Sequence, residues 1–285
     1  MRVRTSRFAS DIVCWQMWER EAAPRLRPHV LGYCGYREWG SRGFRRLETP
    51  SGEVHVILSF GPRIVADGEV VESFVAAPHT RPAVVESREG QHGVEIRLTP
   101  LGAHLVLDVP LHELADRTLP FEDVWGDGEL IARLHDAPSW EARFDLLDGV
   151  LADRLAGARP LAPEIDGAWR RLVATHGATP IAELVRASGW SRRHFTTSFT
   201  RAAGLPPKTF ARVLRFDRAK AQLGRPGLSL AGIALQCGYY DQAHFNRDFR
   251  AFAGLTPTEL MARRLPAGHS ADEVTSVQDG APAAA

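Results

Sequence analysis

The stretch GYYDQAHFNRDFRAFAGLTPTEL, residues 238–260, decides the fold of the C-terminal part of the chain, because a counterpart precedes it in the same sequence. The counterpart is GWSRRHFTTSFTRAAGLPP, residues 189–207. At a shift of 50 positions the two stretches share His-Phe at 194–195, Phe199, Ala-Gly-Leu at 203–205 and Pro207. Agreement at so many positions in one register indicates two copies of a single supersecondary unit.

Each copy has the pattern of a helix, a tight turn and a second helix. Gly189 and Gly238 predict the end of the first helix, where a left-handed residue is needed. Ser191 and Asp241 predict the start of the second helix, since their side-chain oxygens can accept hydrogen bonds from free backbone N–H groups. The first helices have apolar residues at helical spacing, at Ile181, Leu184 and Val185 and at Leu230, Ile233 and Ala234.

The second helix of each copy has two phenylalanines four positions apart, which bury one face of that helix. After the second copy, residues 256–259 have the capping-box form, with proline at the first helical position. Between the copies, residues 207–223 predict one connecting helix of about 25 Å, at a rise of 1.5 Å per residue. The phenylalanine pairs are Phe195 with Phe199 and Phe245 with Phe249.

The N-terminal part of the sequence has short, strand-like stretches instead of helical repeats. Asp67-Gly68 lies between two of them and predicts a hairpin turn, and Glu89-Gly90 is a second turn candidate. Residues 139–155 predict an amphipathic helix that closes this part. The strand-like stretches are residues 54–60, 63–66, 70–75, 83–86 and 94–98.

These patterns predict an α+β protein with two domains. Residues 1–158 would form a mostly-β domain with its closing helix, and residues 164–265 an all-α domain after a short linker. Residues 266–285 are rich in Ala, Gly and Asp and contain too few apolar side chains to pack, so we expect a disordered tail.

Charge is distributed unevenly along the chain, although the net charge is only +1. Residues 1–159 carry 19 Lys and Arg against 24 Asp and Glu, whereas residues 160–265 carry 16 against 7. A basic segment joined to an acidic one suggests that only the C-terminal part meets a polyanion. A chance scatter of arginines is the alternative that charge alone leaves open.

Three cysteines without a CxxC pair favour a reduced, cytoplasmic compartment over a disulfide framework or a zinc site. The sequence has no apolar run of about eighteen residues, so we expect no contact with a membrane. The N-terminus lacks a continuous apolar stretch, so we expect no secretory signal. We also predict no metal and no other cofactor.

Residues 238–260 resemble the second helix-turn-helix of AraC/XylS-type transcription regulators, and residues 189–207 are similar to the first. The resemblance covers roughly residues 168–264 and implies two reading helices in adjacent major grooves, about one turn of DNA apart. The N-terminal part resembles, in architecture alone, the cupin-like barrel sensor domains that precede this module. The family therefore implies double-stranded DNA as a partner, together with RNA polymerase, a small-molecule effector and a second copy of the chain.

The helix faces opposite the phenylalanine pairs carry the predicted DNA contacts. Arginine suits guanine O6 and N7, asparagine and glutamine suit adenine, and alanine can only meet a thymine methyl group. Arg193, Gln242 and Asn246 are therefore the leading candidates for base contact, and a solvated face or contacts to phosphate are the alternatives. The full predicted set is Ser191, Arg192, Arg193, Thr196, Thr197, Asp241, Gln242, Ala243, Asn246, Arg247 and Arg250.

Histidines and aromatic residues raise two further hypotheses. His194 and His244 have no carboxylate or cysteine at ligand spacing, which favours a structural or phosphate-contacting role over a metal or catalytic site. In the N-terminal domain, histidine and aromatic side chains could line a cavity of the kind found at barrel mouths. Ordinary core and rim positions are the alternative. The residues predicted to bind an effector are Trp18, Tyr33, His55 and His79.

The sequence thus predicts a transcription regulator without enzymatic activity, and two other functions stay open. A DNA repair enzyme of the Ada type would use the same DNA module, but its chemistry needs an activated, often zinc-bound cysteine. Cys14 and Cys34 lack a four-ligand cluster. A ligand-binding protein with an inactive DNA module would not need the two polar helix faces.

Overall fold

The computed structural model describes residues 2–9, 13–40, 44–87, 90–126, 128–262 and 276–278. Strands are β1 Arg4–Ala9, β2 Val13–Arg20, β3 Val30–Gly40, β4 Phe44–Glu48, β5 Val54–Ser59, β6 Ile64–Ala66, β7 Glu69–Val71, β8 Phe74–Ala76, β9 Ala83–Ser87, β10 Gln91–Leu98, β11 Thr118–Pro120 and β12 Ser276–Gln278. Helices are α1 Pro100–Leu107, α2 Phe121–Trp125, α3 Glu129–Asp136, α4 Trp140–Gly157, α5 Pro163–Ala174, α6 Ile181–Ser188, α7 Arg192–Ala203, α8 Pro207–Gln222, α9 Leu230–Gln236, α10 Gln242–Ala253 and α11 Pro257–Ala262.

Two antiparallel sheets make up most of the N-terminal part. Within the described residues, the larger sheet has seven strands in the order β1-β2-β3-β10-β5-β8-β11. The smaller has five strands in the order β12-β4-β9-β6-β7. A mostly-β N-terminal part followed by an all-helical part confirms the α+β class expected from the sequence.

The two faces of the larger sheet pack against different layers, because successive strand residues point to opposite sides. Val56 and Ile96 are fully buried in a core shared with helices α1 to α4. On the opposite face, Ile57 packs in a smaller cluster with Ile64 and Phe74, toward the second sheet. The larger sheet is therefore the middle layer of the N-terminal part.

The predicted hairpin turn at Asp67-Gly68 is confirmed, with φ angles of 50° and 87° at the two positions. The expected strand over residues 70–75 is divided in two instead. Ser73 interrupts it: its Oγ accepts a hydrogen bond from the Ser59 N–H at 2.9 Å, and its carbonyl accepts one from the Phe121 N–H. The side chain and carbonyl of Ser73 thus tie the break to two other segments.

The closing helix predicted over residues 139–155 is α4, which begins after the N-cap Ser139. The Ser139 Oγ accepts a hydrogen bond from the Ala142 N–H at 3.2 Å. The interval between α4 and α5 falls on the predicted linker. Within the stretch predicted as a disordered tail, β12 pairs with β4, which departs from that prediction at three residues. Residues 266–275 and 279–285 lie outside the described residues.

Helices α5 to α11 enclose one hydrophobic core, which also takes in side chains from the N-terminal part. Leu101 of α1 belongs to that core. Leu111 follows α1 and packs near the end of α7, where a Cβ on Gly204 would lie 3.5 Å from its Cγ. The N-terminal part therefore packs against α7 through Leu101 and Leu111.

Candidate nucleic-acid interface

Local contacts position the start of α7, the first predicted reading helix. Gly189 ends α6 with a φ of 68°, a conformation that glycine adopts without strain. The Ser191 Oγ accepts a hydrogen bond from the His194 N–H at 3.3 Å, which caps the helix as predicted. Trp190 contacts His194 with ring centroids 4.3 Å apart and the ring planes tilted by 54°. Residues 189–194, next to the start of α7, therefore fix the direction of this helix after the turn.

The start of α10, the second predicted reading helix, is built in the same way with one extra residue. The Asp241 Oδ1 accepts a hydrogen bond from the His244 N–H at 2.6 Å. The inserted Tyr239 is buried against Phe245, with ring centroids 5.2 Å apart. His244 lies edge-on to Tyr239, and its Nδ1 accepts a hydrogen bond from the Tyr240 N–H at 3.4 Å. These contacts support a structural role for His244.

The phenylalanine pairs form the buried backs of both helices. All four rings are completely buried, and each contributes roughly 1.5–3 kcal/mol by leaving water. Phe199 contacts Phe210 of α8, and Phe249 contacts Phe216 of the same helix, with centroids 6.3 and 4.9 Å apart. The connecting helix therefore touches both reading helices.

The predicted contact residues lie on the outer side of α7 and α10 or at their caps. Nine of the eleven are exposed, and Thr196 and Asn246 are half-buried. Arg192, Arg193 and Arg247 form no ion pair within the described part of the chain, so their charges are available to an anionic partner. Each helix thus presents a polar, partly cationic face to solvent.

Comparison with known proteins bears on these two helices. Residues 184–263 match a family described as a helix-turn-helix domain, and residues 19–120 match a domain of unknown function, DUF6597. The F1 operon positive regulatory protein of Yersinia pestis is 38% identical over 83 residues, 29% of this chain and 27% of that protein. The HTH-type transcriptional regulator Rv1931c of Mycobacterium tuberculosis is 29% identical over 133 residues, 47% of this chain and 49% of that protein.

A solved transcriptional regulator from Chromobacterium violaceum, described as containing an AraC-type DNA-binding domain, is 27% identical. The match covers 37% of this chain and 96% of that one, with a TM-score of 0.34. Residues 184–263 are an AraC-type helix-turn-helix domain. The chain spans only about a quarter to a half of the length of the two curated relatives.

Two of the leading base-contact candidates in the AraC-type domain differ in their exposure. Gln242 is exposed in the first turn of α10. Asn246 is half-buried, and its Oδ1 is shielded from solvent without a hydrogen bond to the described residues. Gln242 is therefore the more accessible amide for a base edge.

Basic residues on α8 of the AraC-type domain have intramolecular partners that the sequence did not reveal. Arg212 is ion-paired to Asp248 of α10, with Nε 3.1 Å from Oδ1, and it lies over the Phe252 ring at 4.9 Å. Arg215 lies over the ring of Tyr239 at 5.7 Å. Arg212 therefore holds α10 against α8, and Arg215 contacts the turn that precedes α10.

Two of the residues predicted to bind an effector are engaged under α4. Trp18 stacks on Trp140 with ring centroids 4.7 Å apart. Tyr33 stacks on Phe144, and its hydroxyl donates to the Asp148 Oδ1 at 2.7 Å. Burial and this carboxylate raise the pKa of Tyr33 well above its usual value. Both side chains thus act as contacts of the closing helix.

The other two predicted effector residues belong to a half-buried polar cluster near the AraC-type domain. The His55 Nδ1 lies 2.6 Å from the Glu95 Oε1, and its Nε2 lies 3.0 Å from the Ser51 Oγ. Burial alone would lower the pKa of His55, but the hydrogen bond and charge of Glu95 hold it above its usual value of 6.5. Burial lowers the pKa of His79, and the nearby charge of His55 lowers it further.

The structure does not bring the four predicted effector residues into one site. Tyr33 pairs with Ile96, whereas His55 pairs with Arg97, one residue further along the same strand. Because strand residues alternate, Tyr33 and His55 point to opposite faces of the larger sheet. Sequence reasoning also missed Glu95, since its partner His55 is 40 positions away and no local pattern links them.

The described residues contain no group of three or more His, Cys, Asp or Glu placed to hold a metal ion. Cys14, Cys34 and Cys237 form no disulfide bond with one another. No helix in the described ranges is long and apolar enough to cross a bilayer.

Proposed function

We propose that the chain is a sequence-specific transcription regulator whose AraC-type domain reads two adjacent major grooves with α7 and α10. The observation that supports this is the shared construction of the two helices: a capped start, a buried phenylalanine back and an exposed polar face. Helix α8 measures about 24 Å at 1.5 Å per residue. With the width of the flanking units, it suits the roughly 34 Å between successive major-groove faces.

The side chains on the two faces have separate roles in this proposal. Arg193 would donate two hydrogen bonds to guanine, and Gln242 would bond adenine through its amide. Arg192, Arg247 and Arg250 would contact phosphate, which sets affinity and orientation without selecting sequence. The asymmetry between the faces predicts two unlike half-sites rather than a repeated one.

The N-terminal part would modulate DNA binding, because it packs on α7 through Leu101 and Leu111. A small molecule is the proposed signal, and RNA polymerase and a second copy of the chain are proposed partners. Tyr33 would take part in effector binding only if α4 moved, since Phe144 covers it, whereas Trp18 is half-buried with one face on Trp140. His55 and His79 form a separate candidate site at which DNA binding would be regulated.

Selection of duplexes from a random pool tests the proposal directly. The full-length protein should enrich two half-sites about 10–10.5 base pairs apart, centre to centre. Its affinity for the selected duplex should fall as salt rises, with a slope that reports the number of phosphate contacts. Binding that is equal for selected and scrambled duplexes would contradict the proposal.

A further inference from the structure

Residues 49–53, between β4 and β5, form a loop that reaches from the N-terminal sheets to α8. The Gly52 N–H donates a hydrogen bond to the Asp217 Oδ2 at 2.7 Å. The Thr49 Oγ1 accepts one from the Lys220 Nζ at 3.0 Å. The backbone of the loop lies close to the helix, because a Cβ on Gly52 would be only 3.1 Å from the Leu214 Cδ2. The 49–53 loop is thus docked on α8 by the main chain of Gly52 and the hydroxyl of Thr49.

Lys220 makes this docking energetically important. It is 7% exposed, and its Nζ lies 3.2 Å from the Asp217 Oδ1, so one carboxylate bonds both the loop and the lysine. A buried ammonium needs such partners, because an unpaired charge away from water is strongly unfavourable. Loss of the loop would remove the Thr49 hydroxyl from Lys220 and the Gly52 N–H from Asp217. Asp217 and Lys220 of α8 therefore keep these hydrogen-bond partners only when the loop is docked.

The 49–53 loop is also bonded, through Ser51, to the half-buried His55–Glu95 pair. The Ser51 Oγ is bonded to His55 and also accepts a hydrogen bond from the Glu53 N–H at 3.3 Å. Hydrogen bonds therefore run from Glu95 of β10 through His55 to Ser51. The next residue in the chain, Gly52, carries the contact to α8.

We propose that the 49–53 loop is a coupling element, which transmits the state of the His55–Glu95 pair to α8 and thereby changes how α7 and α10 meet DNA. The first half of this inference concerns the protein alone, and the second half depends on the proposed function. Helix α8 is suited to the task because Phe210 contacts α7 and Phe216 contacts α10.

Charged groups surround His55, so its protonation state responds to pH. Glu95 and Arg97 of β10 and Glu53 of the loop act on His55, while His79 faces it from the segment after β8. Lys220 of α8 and Asp116 act in turn on His79. Lys220, one of the charges that act on His79, is thus also the lysine that pairs with the loop.

A double-mutant cycle on the full chain tests the coupling, with Glu95→Gln at one end and Asp217→Asn at the other. Both substitutions keep side-chain shape, and Glu95 and Asp217 form no hydrogen bond or ion pair with each other in the described part of the chain. Amide hydrogen exchange within α8, measured without DNA, should accelerate about tenfold in each single variant, as expected for loss of a charged hydrogen bond. The double variant should exchange more slowly than the product of the two single effects predicts, because either change already releases the loop.

A third variant and a control cycle make the result specific. In a Ser51→Ala background, the Glu95→Gln and Asp217→Asn effects should become independent, because the connection is cut. Glu183→Gln removes an exposed pair with Arg171, away from the loop, and should combine additively with Glu95→Gln. Additive effects in the main cycle, or equal acceleration in α6 and α8, would overturn the coupling. Affinity for the selected duplex is measured in parallel: absence of DNA binding by the unmodified protein counts against the proposed function, whereas the exchange cycle still decides the coupling.

Discussion

Asp248 in α10 is ion-paired to Arg212 in α8, and the first helix-turn-helix unit has no equivalent, since Ser198 holds the matching position. The Asp248 side chain is 8% exposed and that of Arg212 is 36% exposed. The pair therefore fixes the second reading helix to the connecting helix, while α7 depends more on its packing against α1 and Leu111.

Replacing Arg212 by methionine should destabilise the protein more than replacing Asp248 by asparagine. The first change leaves a buried carboxylate unpaired and should cost about 2 kcal/mol, below the range for a fully buried pair because Arg212 is partly solvated. The second leaves a partly exposed guanidinium and should cost about 1 kcal/mol. Urea denaturation at neutral pH measures both. Equal losses would show that the pair contributes packing rather than charge.

Gln242→Ala should weaken binding of the selected duplex by roughly 1–3 kcal/mol at one base position, and Arg193→Ala should do so at a position in the other half-site. Asn246→Ala should have the smaller effect, because its Oδ1 is turned away from solvent. Fluorescence anisotropy with duplexes altered one base pair at a time separates the positions. A loss that is uniform across all duplexes would show that the residue contacts phosphate.

Asp241→Ala and Asp241→Asn distinguish helix capping from contact with DNA. Alanine removes the acceptor of the His244 N–H and should cost about 1 kcal/mol of stability, whereas asparagine is an equally good cap. Asparagine also removes a negative charge beside the expected phosphates, so it should increase affinity for DNA, and more so at low salt. Urea denaturation and anisotropy measure the two effects. A matching fall in affinity for both variants would instead indicate that the carboxylate itself binds DNA.

The helix-turn-helix units could be predicted well because their signals are local. Gly189, Ser191 and Asp241 act on residues no more than a few positions away, and each takes the predicted place in the structure. The capping box is also confirmed: the Thr256 N–H donates to Glu259, and the Glu259 N–H donates back to the Thr256 Oγ1 at 3.2 Å.

The N-terminal part could be predicted only in outline, because its determinants are distant in sequence. Strands β1 to β4 and helices α1 and α2 carry no strong alternation or helical stripe, and their form depends on the layers that cover them. Arg20, for example, is bonded to Asp145 and Asp148, more than a hundred positions away. The sequence predicts an effector contact at Tyr33 for the same reason, because no local pattern reveals its partner Asp148.

Stability should depend on pH through the His55–Glu95 pair. Because the pKa of His55 is held above 6.5, its contribution is fully present below that pH and is lost as the pH rises through the raised value. The hydrogen bond and charge of His55 outweigh the effect of burial on Glu95 and hold the Glu95 pKa below 4.5, so that contribution is lost as the pH falls through the lowered value.

The difference in free energy of unfolding between the unmodified protein and Glu95→Gln should therefore be greatest between about pH 4.5 and 6.5. It should shrink as the pH is raised through the pKa of His55, because His55 then loses its charge with or without Glu95. Urea denaturation at a series of pH values measures this difference. A difference that stays constant above pH 6.5 would mean that His55 is already neutral when paired.

Replacing Gly35 or Gly149 by alanine should have opposite effects on stability, because another side chain covers Gly35 but not Gly149. A Cβ on Gly35 would overlap the ring of Trp140, which is also stacked on Trp18 and cannot easily withdraw. Gly35→Ala should therefore cost about 1–3 kcal/mol, as overpacking does, and should lift the start of α4 from the sheet. Gly149 lies within α4 with nothing near its Cβ position, so Gly149→Ala should stabilise the protein by roughly 0.5–1 kcal/mol. Urea denaturation followed by tryptophan fluorescence reports both stability and the environment of Trp140; stabilisation by both substitutions would show that Trp140 does not rest on the sheet at Gly35.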